Sequence, residues 1–599
     1  MNLILHNSIL RFPNLSWLTG PIFGKELRVS SRRRRNYVLR FAYLMLLTIF
    51  LSMIWMEEVY HRGSGVYQIS RMAKIGQLII SFIAWLQFCI TQLAAVIMLS
   101  TSISDEIYNR TLGLLMTTPI TSFQIVMGKL LSKLLQLMLL LAISLPLLAV
   151  VRVFGGVPWD YVISSLCITM TTIILVGSAS LFFSIFTRRP YKVIIIAFIL
   201  GGIFWGFLPL LAVMLWHTTG LRSIISENTL FSVISMVNPY FSMAFNTIKM
   251  VEPRSAGSIP SISWLLHCGI MLAVSGLILL ISMVRVRKVA LRQVTGQWGL
   301  SRRKKRSVQN KNEITVNPQE SVTAIRRITG PPVLWKELRL PILGRRKIAT
   351  GIVGSLTFLL LLAIYYLCGR ENMLDDEDTH ISFVLIALGL GLLSSIVLSA
   401  TCITSEKESR SWPLLLATTL DEKSILIGKW AGILRRCLPA WIWLFGHVII
   451  FSMAGFIHPI AIVQIGLVAA WTIIFLSGSG LYFGARFKHT TTAVTMNFAL
   501  AIVLWAIVPI LMAIMGELFR GSRDLAELYM DTNPFVHVVA ILEATVDHLD
   551  EYQWISFRGN NSLNVVESTI WIMGCTVGYM LLGGLFAWRA EGRFRHHIF

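Results

Sequence analysis

Three Gly-Lys pairs stand in the chain, Gly24-Lys25, Gly128-Lys129 and Gly428-Lys429, and each raises the question of phosphate chemistry. A phosphate-binding loop has the form GxxxxGK[ST], because backbone N–H groups cradle the phosphates and the hydroxyl after the lysine holds magnesium. Here the lysines are followed by Glu26, Leu130 and Trp430, so the sequence offers no nucleotide cradle. Leu476-Ser477-Gly478-Ser479-Gly480 loosely matches an ATPase signature or a membrane-protease Gly-x-Ser-Gly, but it lies inside an apolar run. Small residues there permit close helix packing. No HExxH, no paired acids with metal spacing and no nucleophile with a base can be found, so catalytic and metal sites are read as none. A coupled ion would need ionisable residues in mid-span. Only His267 and His447 come near, and both read as packed histidines.

The residues that do recur with fixed spacing are charged, and they recur twice. SISDEIYNRTLGLLMTTP, Ser102–Pro119, returns as CITSEKESRSWPLLLATT, Cys402–Thr419. At an offset of 300 the identities include Glu106 with Glu406, Arg110 with Arg410, Thr118 with Thr418, and Gly128-Lys129 with Gly428-Lys429. Glu106 and Arg110 are four apart with the acid first, the better order for a helical ion pair. Ser104 can cap that helix, with Asp105 and Glu106 in its first turn. Thr118 before Pro119 reads as a cap with proline at the first helical position. Thr419-Leu420-Asp421-Glu422 reads as a capping box. The insert is predicted to be a helix-turn-helix with a short capped helix at its tip.

The elements that must position these residues are membrane spans. Of 599 residues, 55% are hydrophobic and 14% charged, where a soluble chain has about 25% charged. A span takes about 20 apolar residues. Twelve windows qualify: approximately 36–56, 76–100, 130–151, 161–186, 193–216 and 264–284, then 348–367, 381–401, 434–456, 459–483, 491–515 and 568–588. Putting the N-terminus in the cytoplasm places most of the 53 Lys and Arg inside and most of the 30 acids outside, as the positive-inside bias requires. Both termini and both inserts are then cytoplasmic. The net charge of +23 therefore reflects topology, and no nucleic-acid partner is expected. The seven cysteines are scattered and read as small apolar fillers.

Residues 291–329 have the polar, basic composition of a linker. It separates domain 1–290 from domain 330–599. Gly20–Arg28 returns as Gly330–Arg339, Trp205 and Pro209 as Trp505 and Pro509, and Asn238-Pro239 as Asn533-Pro534. The fold class predicted is an all-α polytopic membrane protein of two tandem six-span domains. With an even number of spans per half, the halves are expected to be related by a pseudo-two-fold axis along the membrane normal.

The pattern over Ile103–Lys129, with Lys25-Glu26-Leu27 before the first span, resembles permeases of type-2, export-class ATP-binding-cassette transporters. The resemblance covers each half nearly end to end. It implies that Lys25, Glu26, Lys336 and Glu337 lie on elbow helices at the membrane surface. It implies that Glu106, Arg110, Thr118, Pro119, Gly128, Lys129, Glu406, Arg410, Thr418 and Thr419 belong to hairpins that couple to a separate ATPase. That partner, a cytoplasmic ABC ATPase dimer, would bind the ATP and magnesium, and this chain would hold no cofactor. The path would be lined from the second and fifth spans, with Gln87, Gln92, Trp205 and Trp505 as candidates, and would carry an amphipathic or lipid-like substrate. The membrane would be the plasma or inner membrane. The second half departs from the pattern at Trp412-Pro413 and Thr419, which predicts unequal tips. An ion-coupled transporter or a non-catalytic membrane scaffold is the alternative.

Overall fold

The computed structural model describes residues 16–32, 34–60, 66–108, 111–152, 156–187, 189–218, 221–252, 263–294, 330–339, 347–518, 523–546, 554–555 and 562–594. Of the basic linker 291–329, residues 291–294 form the end of the helix Trp264–Val294, and 295–329 lie outside the described residues, as does Arg110.

The described residues are helical apart from turns, short connections and a two-stranded hairpin, β1 (Trp554–Ile555) and β2 (Ser562–Leu563). In the first half an elbow helix α1 (Ser16–Ser31) precedes α2 (Arg34–Tyr60) and α3 (Val66–Ser100). The repeated insert forms α4 (Ser104–Tyr108) and α5 (Thr111–Met116). Then come α6 (Ser122–Arg152), α7 (Trp159–Phe186), and α8 (Pro190–Gly202), which passes through a π turn at Ile203–Phe207 into α9 (Leu208–Thr218). Two short helices, α10 (Glu227–Val237) and α11 (Pro239–Val251), lead to α12 (Trp264–Val294). The second half repeats the order: elbow α13 (Pro332–Arg339), α14 (Lys347–Arg370), α15 (Glu377–Glu408), tip α16 (Trp412–Leu416), α17 (Glu422–Met453) and α18 (Ile460–Arg486). It continues with α19 (Thr490–Ile502), a π turn at Val503–Ile507, α20 (Val508–Leu518), α21 (Arg523–Met530), α22 (Pro534–Val546) and α23 (Val565–Gly592).

Among the described residues ten helices are long and apolar enough to cross a membrane. The two further expected spans coincide with α2 and α14, whose described apolar stretches, Arg40–Ser52 and Thr357–Arg370, are shorter. Leucines such as Leu280 and Leu581 and the indole of Trp588 face outward, as lipid contact permits and water would not. This is a multi-pass membrane protein.

The helices gather into two compact units. One comprises Met1–Ser52, Arg62–Trp205 and Glu227–Arg326; the other comprises Met53–His61, Gly206–Ser226 and Arg327–Phe599. In each, the fourth span of the half is central: α7 packs on α3, α6 and α12, and α18 on α15, α17 and α23. Both are rich in small and hydroxylated residues, which let backbones approach. Many of the hydroxyls are satisfied locally, as when Thr172 Oγ1 donates to Ile168 O at 2.7 Å and Thr472 Oγ1 to Val468 O at 2.9 Å.

The fifth span breaks in the same way in both halves. Pro209 and Pro509 have no N–H to give the carbonyl four residues earlier, which belongs to Trp205 or Trp505. The helix widens into its π turn there, and a side-chain amide supplies a donor. Asn238 Nδ2 donates to Trp205 O at 2.6 Å, and Asn533 Nδ2 to Trp505 O at 2.8 Å. The other amide atom caps the next helix: Asn238 Oδ1 accepts from the Tyr240 N–H and Asn533 Oδ1 from the Phe535 N–H, each at 3.0 Å. The repeated Trp-Pro and Asn-Pro motifs are thus two ends of one contact. Asn533→Leu is expected to destabilise the protein by about 1–3 kcal/mol. Pro509→Ala, which restores an N–H, should cost less in that background than in wild type. Thermal unfolding of the four members of this cycle checks it, and strict additivity would refute the link.

Candidate functional site: the ion-paired hairpin base

The insert leaves the end of α3 as a tight turn and α4, so that Glu106 faces back toward the third span. Lys129 Nζ donates to Glu106 Oε1 at 3.0 Å and to the Ser102 carbonyl at 2.6 Å. Thr111 Oγ1 donates to the other Glu106 oxygen. Among the described residues the charged partner of Glu106 is therefore a lysine on α6. In the second half the expected Glu406–Arg410 helical pair is replaced: α15 ends at Glu408, and Arg410 sits in the turn with φ +53°. Glu406 instead pairs with Lys429 and, at 3.3 Å, with Lys336.

The elbows join the same clusters. Glu26 on α1 lies 3.6 Å from Lys133 on α6, while Lys25 is exposed. In the second half the link is direct and buried. Lys429 Nζ sits 2.9 Å from Glu337 Oε1, with side chains only 4% and 6% exposed, and Arg436 takes the other Glu337 oxygen. Gly428 lets the elbow come this close, since a Cβ there would lie 2.9 Å from the Leu334 N. Burial alone would raise the Glu337 carboxyl, but Lys429 and Arg436 outweigh it and hold its pKa below the ordinary 4.5. Gly428-Lys429, which fails as a phosphate loop, thus has a mechanical role: close approach, then a cation for the carboxylates of hairpin and elbow.

The tips differ from the expected caps. Ser104 Oγ donates back to Ser100 O at 2.8 Å and does not cap. Thr118 Oγ1 and Thr418 Oγ1 each donate to the Leu115 or Leu415 carbonyl at 2.6 Å, closing the short helix before them. Pro119 and Thr419 lie in the exposed bends that follow. The helix after the first tip begins at Ser122 under a reciprocal box of Thr121 and Gln124, each backbone N–H reaching the other's side-chain oxygen at 3.2 Å. The Thr-x-x-Gln spelling was available in the sequence. In the second half α17 starts at Glu422 behind Asp421, which makes no side-chain cap bond, so the expected capping box does not form. Each tip helix exposes one leucine, Leu114 at 71% and Leu414 at 74%. Those two positions are equivalent at the 300-residue offset.

The residues expected along a path are packed within their own halves. Gln87 accepts from Ser144 Oγ at 2.8 Å and Gln92 from Tyr240 O–H at 2.9 Å. The Trp205 ring leans on Tyr240, and Trp505 sits among Trp471, Phe475 and Tyr579. His267 Nδ1 lies 2.9 Å from the Met236 carbonyl. His447 is part of a chain that sequence reasoning missed. Tyr365 O–H reaches His447 Nδ1 at 2.7 Å, His447 Nε2 meets His380 Nδ1 at 3.2 Å, and His380 Nε2 meets the Leu374 carbonyl at 2.9 Å. A carbonyl only accepts, so one consistent assignment has protons on both Nε2 atoms and both rings neutral.

Two copies of a charged hairpin base, each tied to an elbow and the third span, suit a rigid lever that a partner could push. The profile of the ABC-2 family transporter proteins matches residues 21–289 and again 334–582. The chain belongs to the ABC-2 transporter family. In this family the membrane component is a permease rather than a catalyst, and it associates with an ABC ATPase. The double match makes the chain a tandem ABC-2 permease. Comparison with curated proteins returns no match.

Proposed function

We propose that the protein is the membrane part of an ATP-driven exporter, with both half-permeases in one chain. A separate ATPase dimer binds ATP and magnesium and docks on the two tips; this chain hydrolyses nothing. The halves alternate access about a pseudo-two-fold axis along the membrane normal, and an amphipathic or lipid-like substrate moves between them. The chain sits in the plasma or inner membrane with both termini cytoplasmic. The observation that carries this reading is the equivalent exposure of Leu114 and Leu414 on tips whose bases are fixed by ion pairs to a buried lysine. An exposed leucine at matched places on two rigid tips fits an anchor for a two-fold partner.

Burying one leucine is worth about 1.5–3 kcal/mol, or roughly 10- to 150-fold in affinity. Leu114→Ala and Leu414→Ala are each expected to weaken binding of a co-purified ATPase by that order, with the membrane fold intact. ATP hydrolysis should appear in the complex and be absent from the pure chain. A cysteine at Asp376 should label from outside intact cells. Hydrolysis by the pure chain would defeat the reading, as would transport that survives ATP depletion and stops with a protonophore. The latter result would favour an ion-coupled carrier using the His380–His447 chain.

A further inference from the structure

The two hairpins are held differently, and the difference lies in two residues at the end of α15. Lys407 Nζ donates to the carbonyls of Gly484 at 3.0 Å and Phe487 at 3.4 Å, and also to that of Ala485. These carbonyls close the last turn of α18, where no helical N–H remains to satisfy them and a cation is favoured. Glu408 does the reverse for the next helix. Its Oε1 accepts the Thr490 N–H and its Oε2 the Thr490 hydroxyl, both at 2.7 Å. Thr490 opens α19, and the N-cap residue His489 makes no side-chain cap bond to it. Thr404 and Thr490 hydroxyls meet at 3.1 Å. One Lys-Glu pair therefore supplies a charge of the right sign to both helix ends at the turn Phe487–His489. The same lysine lies 5.8 Å over the ring of Trp412, the buried first residue of the tip helix.

At the matching places the first half has Ile107 and Tyr108, which can supply neither charge. Its fourth-to-fifth span connection leads into α8 behind Arg189, without a side-chain cap bond.

We propose that Lys407 and Glu408 are positioning residues that make the second hairpin and the α18–α19 turn one body. Motion of the second tip is passed to the fourth and fifth spans of its half together, through a charged link that Ile107 and Tyr108 do not provide in the first half. The proposal rests on the reading of the tips as ATPase docking sites for its functional part only. The full chain in phosphatidylethanolamine–phosphatidylglycerol nanodiscs, alone and with its ATPase, tests both parts by hydrogen exchange and ATP hydrolysis. In the chain alone, Glu408→Ala should speed exchange in the 487–493 segment at least tenfold, with Glu408→Asp restoring much of the protection. Grafting Ile107→Lys with Tyr108→Glu should slow exchange at 187–192. In the complex, Lys407→Ala with Glu408→Ala should lower the kcat of ATP hydrolysis several-fold and leave KM for ATP unchanged. Unchanged exchange in Glu408→Ala overturns the clamp whatever the chain transports. Faster exchange with an unchanged kcat overturns transmission while leaving docking intact. Failure of wild type to bind any ATPase overturns transmission together with the exporter reading, and the exchange result still decides the clamp.

Discussion

Lys429→Met is expected to be the most damaging charge substitution in the chain, costing about 3–5 kcal/mol because it leaves buried carboxylates uncompensated. Lys429 is 4% exposed and serves two acids, Glu337 at 6% and Glu406 at 15% exposure. Arg436 still reaches Glu337, and Lys336, itself 56% exposed, adds little to Glu406. Lys129→Met should cost less, since Glu106 is 21% exposed and keeps its bond to Thr111. Adding Glu337→Gln to Lys429→Met should recover part of the loss, because it removes one of the stranded charges. Detergent thermal unfolding gives the comparison, and equal loss in Lys129→Met and Lys429→Met would show that burial is not what matters.

The same cluster sets a pH dependence with a definite sign. The Glu337 pKa is lower in the folded protein than its ordinary 4.5. A depressed carboxyl contributes stability that is present above the unfolded pKa and is lost as pH falls through the folded one. Wild type should therefore lose elbow docking only below about pH 4.5. In Lys429→Met, acidification that neutralises the stranded acids should narrow the gap to wild type. A gap that widens on mild acidification would contradict the assignment.

The sequence carried the fold class and the repeat in plain view, because span length and a 300-residue offset are properties of the chain itself. Which residue pairs with which was less legible. Arg110 and Arg410 lie one helical turn from their glutamates, but the helix does not run that far in the second half: α15 ends at Glu408 and Arg410 adopts a positive φ. The partners found among the described residues, Lys129 and Lys429, are twenty-three residues away, and the return of the third span past the hairpin brings them in. The caps failed for a similar reason. Thr118 and Thr418 were placed correctly at the tips, but a hydroxyl there can bond backward to a carbonyl as well as forward to an N–H. The structure takes the backward choice. Lys407 and Glu408 were visible as departures from Ile107 and Tyr108, yet nothing local says that a charge pair will meet the ends of two helices some eighty residues on.

Adding a single methyl group at Gly478 or Gly480 is expected to abolish assembly of the second half, and the two positions should differ in whether they can be rescued. A Cβ on Gly480 would lie 1.9 Å from Ser399 Oγ and 2.4 Å from Ser399 Cβ. A Cβ on Gly478 would lie 2.2 Å from the Gly583 carbonyl oxygen. Overpacking a core costs about 1–3 kcal/mol when side chains can shift; a backbone atom of a crossing helix has no rotamer to change. The nearest obstacle to Gly480→Ala is a side chain, with the Ala400 N behind it at 2.9 Å, so Ser399→Gly should restore part of the expression lost. That rescue stays partial, because Ser399 Oγ also donates to Leu476 O at 3.0 Å and lies 3.2 Å from Asn497 Nδ2. The obstacle to Gly478→Ala is main chain of α23, and no side-chain change at Gly583 can relieve it. Yield of monodisperse protein from the membrane measures all of these. The outcome also bears on Leu476–Gly480 as a motif. If the small residues serve packing, Ser477→Ala and Ser479→Ala should keep transport, at a modest stability loss from the bonds to Trp430 and Asn497. Loss of activity in a well-folded Ser479→Ala would instead mark the serine as reactive and overturn the packing account of this stretch.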